Sequence, residues 1–107
     1  MGLLTPTPPL WHPAPKSIVT AAKHACEAAI NWAGALPDLA LGYAMRCSLA
    51  ADMPMAVGYS SPNEVHESVS VWRKIQDGGD DERIAKEAEV ADVFEKDRVK
   101  NCSWPCP

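Results

Sequence analysis

The chain has 107 residues, of which 47% are hydrophobic and 22% are charged, and its formal net charge at pH 7 is −4. This length suits one domain, and the composition is typical of a folded rather than a disordered protein. The mild acidic excess argues against binding nucleic acid or an anionic membrane through charge. No apolar run approaches the roughly 20 residues of a membrane-spanning helix. With four cysteines and no recognisable export signal, the sequence predicts a cytoplasmic protein with reduced thiols.

The N-terminal region is rich in proline, because five of the ten prolines lie within the first fifteen residues. Residues 1–16 are therefore predicted to form an extended loop, since proline excludes both helix interior and central strand. A helix is predicted from about Ser17 to a stop at Gly34. Its apolar face comprises small residues at helical spacing: Ile18, Ala22, Ala25, Cys26, Ala29 and Ala33.

A second helix is predicted from Pro37 to about Ala50, because proline suits a first turn and Asp38 favours the helix N-terminus. Its shared face comprises Leu39, Tyr43, Ala44 and Cys47. Residues 55–58 (Met-Ala-Val-Gly) follow as a short apolar run after Pro54. Such a run between turn residues is typical of a strand that is buried on both faces.

A strong helix start comes directly after this strand. Ser61 can cap the helix, Pro62 fits its first turn, and Glu64 completes a capping box. The apolar stripe comprises Val65, Val69, Trp72 and Ile75, and Gly78 is predicted to end the helix. A last helix is predicted from Asp80 or Asp81, before an irregular tail at residues 99–107. Its predicted buried face comprises Ile84, Ala88, Ala91 and Phe94.

One buried strand among four helices is a contradiction, because its backbone N–H and C=O groups would have no hydrogen-bond partners. Three explanations follow from the residues alone. Residues 55–58 are not a strand, or the chain is part of a larger α/β protein, or a second copy of the chain supplies the missing strand.

Several short blocks of sequence are distinctive: MGLLT at 1–5, PLWHPA at 9–14, LALGYA at 39–44, VGYSS at 57–61, VHESV at 65–69, and VKN with SWP at 99–105. Each block is short, but together they extend over nearly the whole chain. In this order they resemble the aldo/keto reductase superfamily, and in particular its branch of L-galactose and fungal D-arabinose 1-dehydrogenases.

This resemblance implies a (β/α)₈ TIM barrel, a fold that takes roughly 250 residues. The chain would be only its C-terminal portion, with the seventh helix, the eighth strand, the eighth helix and the tail, and mostly helical when isolated. Residues 1–107 would form a partial NAD(P)-dependent oxidoreductase domain. Its parts would be a loop at 1–16, helix-helix-strand-helix-helix at 17–98 and a tail at 99–107.

The resemblance implies hydride transfer between a nicotinamide cofactor and a small sugar substrate, with a tetrad of Asp, Tyr, Lys and His. Those four residues belong to earlier strands of the family's barrel, so no catalytic residue is expected in this chain. Tyr43 is expected to pack on a helix face, and Tyr59 follows the strand at the cofactor end of the site. Neither is expected to replace the catalytic tyrosine.

Part of the cofactor site is expected at the turn after the predicted strand, because helix N-termini offer N–H groups to anions. From the residues alone, an ordinary strand-to-helix turn is the favoured explanation of this pattern, and the resemblance adds the expectation of cofactor contact. The family's motif positions fall on Gly58, Ser60, Glu64, Glu67 and Ser68.

Two of these positions depart from the family, which often has Gln or Arg at Glu64 and usually has Asn at Ser68. No Lys or Arg lies between Gly58 and Val71. An acidic residue opposes a 2′-phosphate but can hydrogen-bond a ribose 2′-hydroxyl. The sequence therefore favours NAD over NADP.

No metal site is expected, because Cys102 and Cys106 form one C-x₃-C pair without the second pair that zinc commonly needs. Cys26 and Cys47 are isolated on helix faces. The leading interpretation is therefore a C-terminal fragment of a sugar dehydrogenase that oxidises an aldose to a lactone, inactive by itself. The alternative is a free-standing helical interaction module, derived from the barrel but not an enzyme.

Overall fold

The computed structural model describes residues 14–78 and 80–99, which form four helices and no strand. The start of the predicted loop and most of the predicted tail lie outside these residues. The helices are α1 (Lys16–Ala28), α2 (Ala35–Ala50), α3 (Pro62–Asp77) and α4 (Asp81–Lys96). Helix α1 packs on α4, α3 packs on α2, and α2 also meets α1 and α4.

The predicted starts of α3 and α4 are confirmed, and local side chains explain both. Ser61 caps α3 by accepting a hydrogen bond from the Glu64 N–H (3.4 Å), and Pro62 is the first helical residue. Asp80 caps α4 by accepting from the Arg83 N–H (3.2 Å). Each cap satisfies one of the N–H groups that a helix start leaves without an intrahelical partner.

The predicted end of the first helix is wrong, because α1 stops at Ala28 and residues 29–34 form turns. Trp32 lies in these turns, and its indole N–H donates to Asp38 Oδ1 of α2 (2.8 Å). Gly34 has a φ of 85°, which reverses the chain at no steric cost. This contact between Trp32 and α2 accompanies a helix end earlier than the alanine spacing predicts. Helix α2 accordingly begins at Ala35, two residues before the predicted Pro37.

The apolar core lies where α1, α2 and α4 meet. Leu36 and Leu39 of α2 and Val90 of α4 are buried there, with Trp32, Val93 and Phe94 packed around them. Ala25 and Ala29 are fully buried in the same cluster, and their small side chains allow α1 to approach closely. The face predicted for the first helix is confirmed at four positions, because Ile18, Ala22, Ala25 and Ala29 are all buried. Cys26 and Ala33 are exposed.

The buried face predicted for α4 is wrong in part, because the helix buries two charged residues, while Phe94 of the predicted face packs against the core. Its buried residues are Arg83, Glu87 and Val90, while Ile84 is 47% exposed. The guanidinium of Arg83 donates to Asp38 Oδ1 (2.6 Å) and to Asp80 Oδ2 (3.2 Å). Arg83 also lies over the Trp32 ring, 5.4 Å from its centroid. Burial is possible because partners on α2 and at the start of α4 compensate the charge.

A second ion pair joins the same two helices, since Arg46 of α2 donates to Glu87 Oε2. The Glu87 side chain is 4% exposed and that of Arg46 is 33% exposed. The predicted packing role of Tyr43 is wrong, because its side chain is 53% exposed and lies beside Arg46, 5.9 Å from ring centroid to guanidinium carbon. Cys47 is exposed on the same helix.

The stripe predicted for α3 is also wrong in part. The buried residues of this helix are Ser68 and Val71, whereas Val65 is 40% and Val69 43% exposed. The predicted strand at residues 55–58 is absent from the described structure. The physical reason is that a strand needs a hydrogen-bonded neighbour, and among the described residues none makes a backbone hydrogen bond to residues 54–59.

Candidate functional site

The connection between α2 and α3 borders an open groove of about 720 Å³. Met45 and Leu49 of α2 and Trp72 of α3 form its walls, and the connecting residues form its edge. The complete lining comprises Met45, Ser48, Leu49, Asp52, Met53, Pro54, Met55, Val57, Tyr59 and Trp72. The groove is therefore mostly apolar, and several large side chains at its edge, among them Met53 (64% exposed) and Tyr59 (41% exposed), face solvent.

The connecting segment has the side-chain alternation of a strand although it has no strand partner. Met53, Met55, Val57 and Tyr59 line the groove, whereas Ala56 and Gly58 do not. Pro54 also borders it. Alternate residues on one side are typical of an extended chain. The pattern that predicted a strand is thus present locally, and only the hydrogen-bonded neighbour is missing.

The start of α3 forms a smaller cleft of about 450 Å³ beside the groove. It is lined by Tyr59, Ser60, Ser61, Pro62, Val65 and His66. The carboxylate of Glu64 turns back towards this end of the helix. The Ser60 N–H donates to Glu64 Oε2 (2.7 Å), and the Ser60 hydroxyl donates to Glu64 Oε1 (3.0 Å).

These contacts hold the carboxylate of Glu64 at the start of α3. Hydrogen bonds from the N–H and hydroxyl of Ser60 lower the pKa of Glu64 below its ordinary value of 4.5, because they stabilise the ionised form. The negative charge lies at the positive end of the α3 dipole. An incoming phosphate would meet this carboxylate, whereas a hydroxyl group could donate a hydrogen bond to it.

The five residues predicted for the cofactor site fall into different environments. Ser60 and Glu64 are brought together by their hydrogen bonds. Gly58 is exposed, and a Cβ built on it would meet no atom within 4 Å. Glu67 is exposed on α3, whereas Ser68 is 4% exposed. Of the five predicted residues, the structure thus brings together only Ser60 and Glu64, and it buries Ser68.

The chain is 33% identical over 106 residues to the L-galactose dehydrogenase of Arabidopsis thaliana. The match includes 98% of this chain and 31% of the dehydrogenase, so the chain spans about a third of that relative's length. No family model matches the chain, and no solved structure matches it. This similarity to a dehydrogenase supports an origin in an oxidoreductase.

Sequence reasoning overlooked the buried ion cluster around Arg83, because charged residues on a helix normally face solvent. The sequence feature that could have revealed this cluster is the spacing of Arg83 and Glu87, which are four residues apart and therefore share a helix face. In the described residues no group of three or more His, Cys, Asp or Glu could hold a metal ion. None of the helices described is long and apolar enough to cross a bilayer.

Proposed function

We propose that this chain is the C-terminal part of an NAD(P)-dependent sugar dehydrogenase of the aldo/keto reductase type. The observation that carries this proposal is the 33% identity over 106 residues to a plant L-galactose dehydrogenase. The complete enzyme would transfer a hydride from the anomeric carbon of an aldose to the nicotinamide and release the hydroxyl proton, giving a lactone. This enzyme would act in the cytoplasm, and its fold would be a TIM barrel.

The connection between α2 and α3 supports this proposal. Residues 53–59 alternate like a strand and are followed at once by a capped helix. Helix, strand and helix succeed one another in this way in a (β/α)₈ barrel, where ligands bind at the C-terminal ends of the strands. The cleft that Ser60 lines would lie at that end. The missing two-thirds would supply neighbouring strands and the catalytic tetrad.

The charge at the start of α3 supports NAD rather than NADP as the cofactor. Glu64 is fixed there by two hydrogen bonds from Ser60. Its carboxylate suits a ribose hydroxyl and repels a 2′-phosphate. The chain's own residues would thus bind and orient part of the cofactor, and they would carry no proton-transfer step.

A chimera tests the proposal. This chain replaces the matching segment of the Arabidopsis thaliana dehydrogenase, and cofactor reduction is measured with L-galactose and D-arabinose. We expect the chimera to reduce NAD with at least one sugar, and the isolated chain to reduce neither cofactor with either sugar. A chimera that folds by circular dichroism but is inactive contradicts the proposal. A chimera that clearly prefers NADP contradicts the proposal that Glu64 favours NAD.

A non-enzymatic interaction module is the second candidate, and one observation favours it. The described helices bury an apolar core and the charged pair Arg83–Asp38 among themselves, without any sheet. In this case the groove beside residues 53–59 would bind another protein. A cooperative thermal melt of the isolated chain together with an inactive chimera would support this candidate over the dehydrogenase.

A further inference from the structure

Helix α3 is attached to the rest of the described chain through α2 alone. The helices α1, α2 and α4 all pack on one another, whereas α3 packs only on α2. The apolar core is built from α1, α2, α4 and the turns after α1, and it includes no residue of α3. Three helices therefore share a core, and the fourth contacts only one of them.

Few buried side chains hold α3 in place. Its buried residues are Ser68 and Val71, of which only Val71 is apolar, and Trp72 and Ile75 beside them are half-buried. By contrast, α1 and α2 each bury four residues. Elements with few buried apolar contacts are the ones that open most readily without unfolding of the whole chain.

The ion pairs between helices also leave α3 out. In the described part of the chain, each of them connects α4, or the residue directly after it, with α1 or α2. They are His24–Asp97, Arg46–Glu87 and Arg83–Asp38. These pairs hold the same three helices together that share the apolar core, so separation of α3 from α2 would break none of them.

The stretch of chain that contains α3 is anchored to the other three helices at both of its ends. Before it, the Met53 N–H donates to the Ser48 carbonyl at the end of α2 (3.0 Å). After it, Asp80 accepts from Nε of Arg83 on α4 (3.2 Å). Between these anchors, residues 54–59 make no backbone–backbone hydrogen bond within the described structure. The anchors thus remain in place if the stretch between them moves.

We propose that residues 54–78, which we call the α3 unit, undock from α2 as one body while α1, α2 and α4 stay folded. The caps at the start of α3 would be retained, because Ser60 and Ser61 hydrogen-bond Glu64 within the unit. At the other end Gly78 has a φ of 71°, and glycine tolerates the backbone changes that a hinge requires. The proposal rests on packing and does not depend on the proposed enzymatic function.

Undocking would affect the groove and the cleft differently. The groove has Met45 and Leu49 of α2 on one side and Trp72 of the α3 unit on the other, so it exists only while the unit is docked. The cleft is lined entirely by residues of the unit and would move with it unchanged. A ligand in the groove would therefore bind only the docked state and shift the population towards it, whereas a ligand in the cleft would not.

Amide hydrogen exchange of the complete chain, followed residue by residue by NMR, tests the proposal. Undocking lets the amides of α3 exchange without global unfolding, so we expect their protection to be at least about tenfold lower than that of the most protected amides of α1, α2 and α4. Their exchange should also respond less to low concentrations of denaturant, because undocking exposes less surface than unfolding does. Protection in α3 equal to that in α4 would overturn the proposal.

Two valine-to-alanine variants separate undocking from global unfolding. Val90→Ala removes a contact of the shared core that undocking leaves intact. It should speed exchange in α1, α2 and α4 about tenfold and leave exchange in α3 unchanged. Val71→Ala removes the buried apolar contact of α3 (2% exposed). It destabilises the docked state relative to both the undocked and the unfolded state, and should therefore speed exchange in all four helices. If α3 responded to Val90→Ala as strongly as the other helices, it would open only with the whole chain, and the proposal would be wrong.

Discussion

A Cβ atom built on Gly42 would lie 2.5 Å from Nη1 of Arg83. Gly42 is on α2 and Arg83 on α4, so the absence of a side chain at one position makes room for a buried charge at the other. The guanidinium cannot simply move aside, because it donates to the Asp38 carbonyl (3.1 Å) and to the carboxylates of Asp38 and Asp80.

Gly42→Ala should therefore destabilise the chain. Alanine favours a helix by about 1 kcal/mol over glycine, but displacing the buried guanidinium should cost about 2–3 kcal/mol. Thermal melts followed by circular dichroism measure the net effect, which we expect to be a lower Tm. Gly58→Ala is the control, since no atom lies near its Cβ position. A Tm of Gly42→Ala at or above that of the unchanged chain would contradict this contact.

Arg83→Met should be more damaging than a similar change on the surface. It leaves the carboxylates of Asp38 and Asp80 without their cation, and Asp38 is 13% exposed. We expect a loss of about 2–4 kcal/mol in the free energy of unfolding. Lys86→Met on the same helix breaks only the Lys86–Glu89 pair (3.0 Å), and should cost less than about 1 kcal/mol. Chemical denaturation measures both, and equal losses would refute a stabilising role of the Arg83 cluster.

The pair between Arg46 and Glu87 should respond unequally to removal of its two members. Arg46→Met leaves the buried Glu87 carboxylate unpaired, whereas Glu87→Met leaves an arginine that is one-third exposed and can reach water. Uncompensated buried charge is the larger cost. We expect Arg46→Met to lower the Tm more than Glu87→Met does. The reverse order would contradict the burial of this carboxylate.

Stability in acid should depend on Glu64. Its pKa is lowered in the folded chain, so its stabilising contribution is present above the ordinary value of 4.5 and is lost as the pH falls through the lowered pKa. The Tm difference between the unchanged chain and Glu64→Gln should be constant near neutral pH and shrink below that value. Glu67→Gln, one turn further along α3, is the control. A Tm difference that does not vary with pH would exclude the contact with Ser60.

The starts of α3 and α4 could be predicted from the sequence because their causes are local. Ser61 and Asp80 bond N–H groups three residues further on, and such spacing is visible in the sequence. The end of α1 could not be predicted in this way, because Trp32, which follows α1, contacts Asp38 of α2 and Arg83 of α4. The spacing of apolar residues does not show which side chain a tertiary contact will hold outside a helix.

The buried face of α4 could not be predicted for a related reason. Arg83 and Glu87 are buried only because they have partners 45 and 41 residues away, and a search for apolar periodicity selects Ile84 instead. The strand predicted at residues 55–58 is absent from the described structure, because an apolar run does not by itself provide the neighbouring strand that pairing requires. Within the predicted site, the contact between Ser60 and Glu64 is local in sequence and could be anticipated. The burial of Ser68 could not, because it depends on how α3 packs on α2.

The connecting segment between α2 and α3 is clamped at both ends by hydrogen bonds. Ser48 bonds Met53 at one end, and Glu64 bonds Ser60 at the other. A clamped chain has already lost much of the conformational entropy that strand pairing would otherwise cost. A neighbouring strand from the rest of a barrel would therefore meet a segment that is already held in place. Loosening one clamp, for example with Ser48→Ala, which removes the hydroxyl that donates to the Met53 carbonyl, should therefore weaken the docking of such a strand while residues 54–59 stay unchanged.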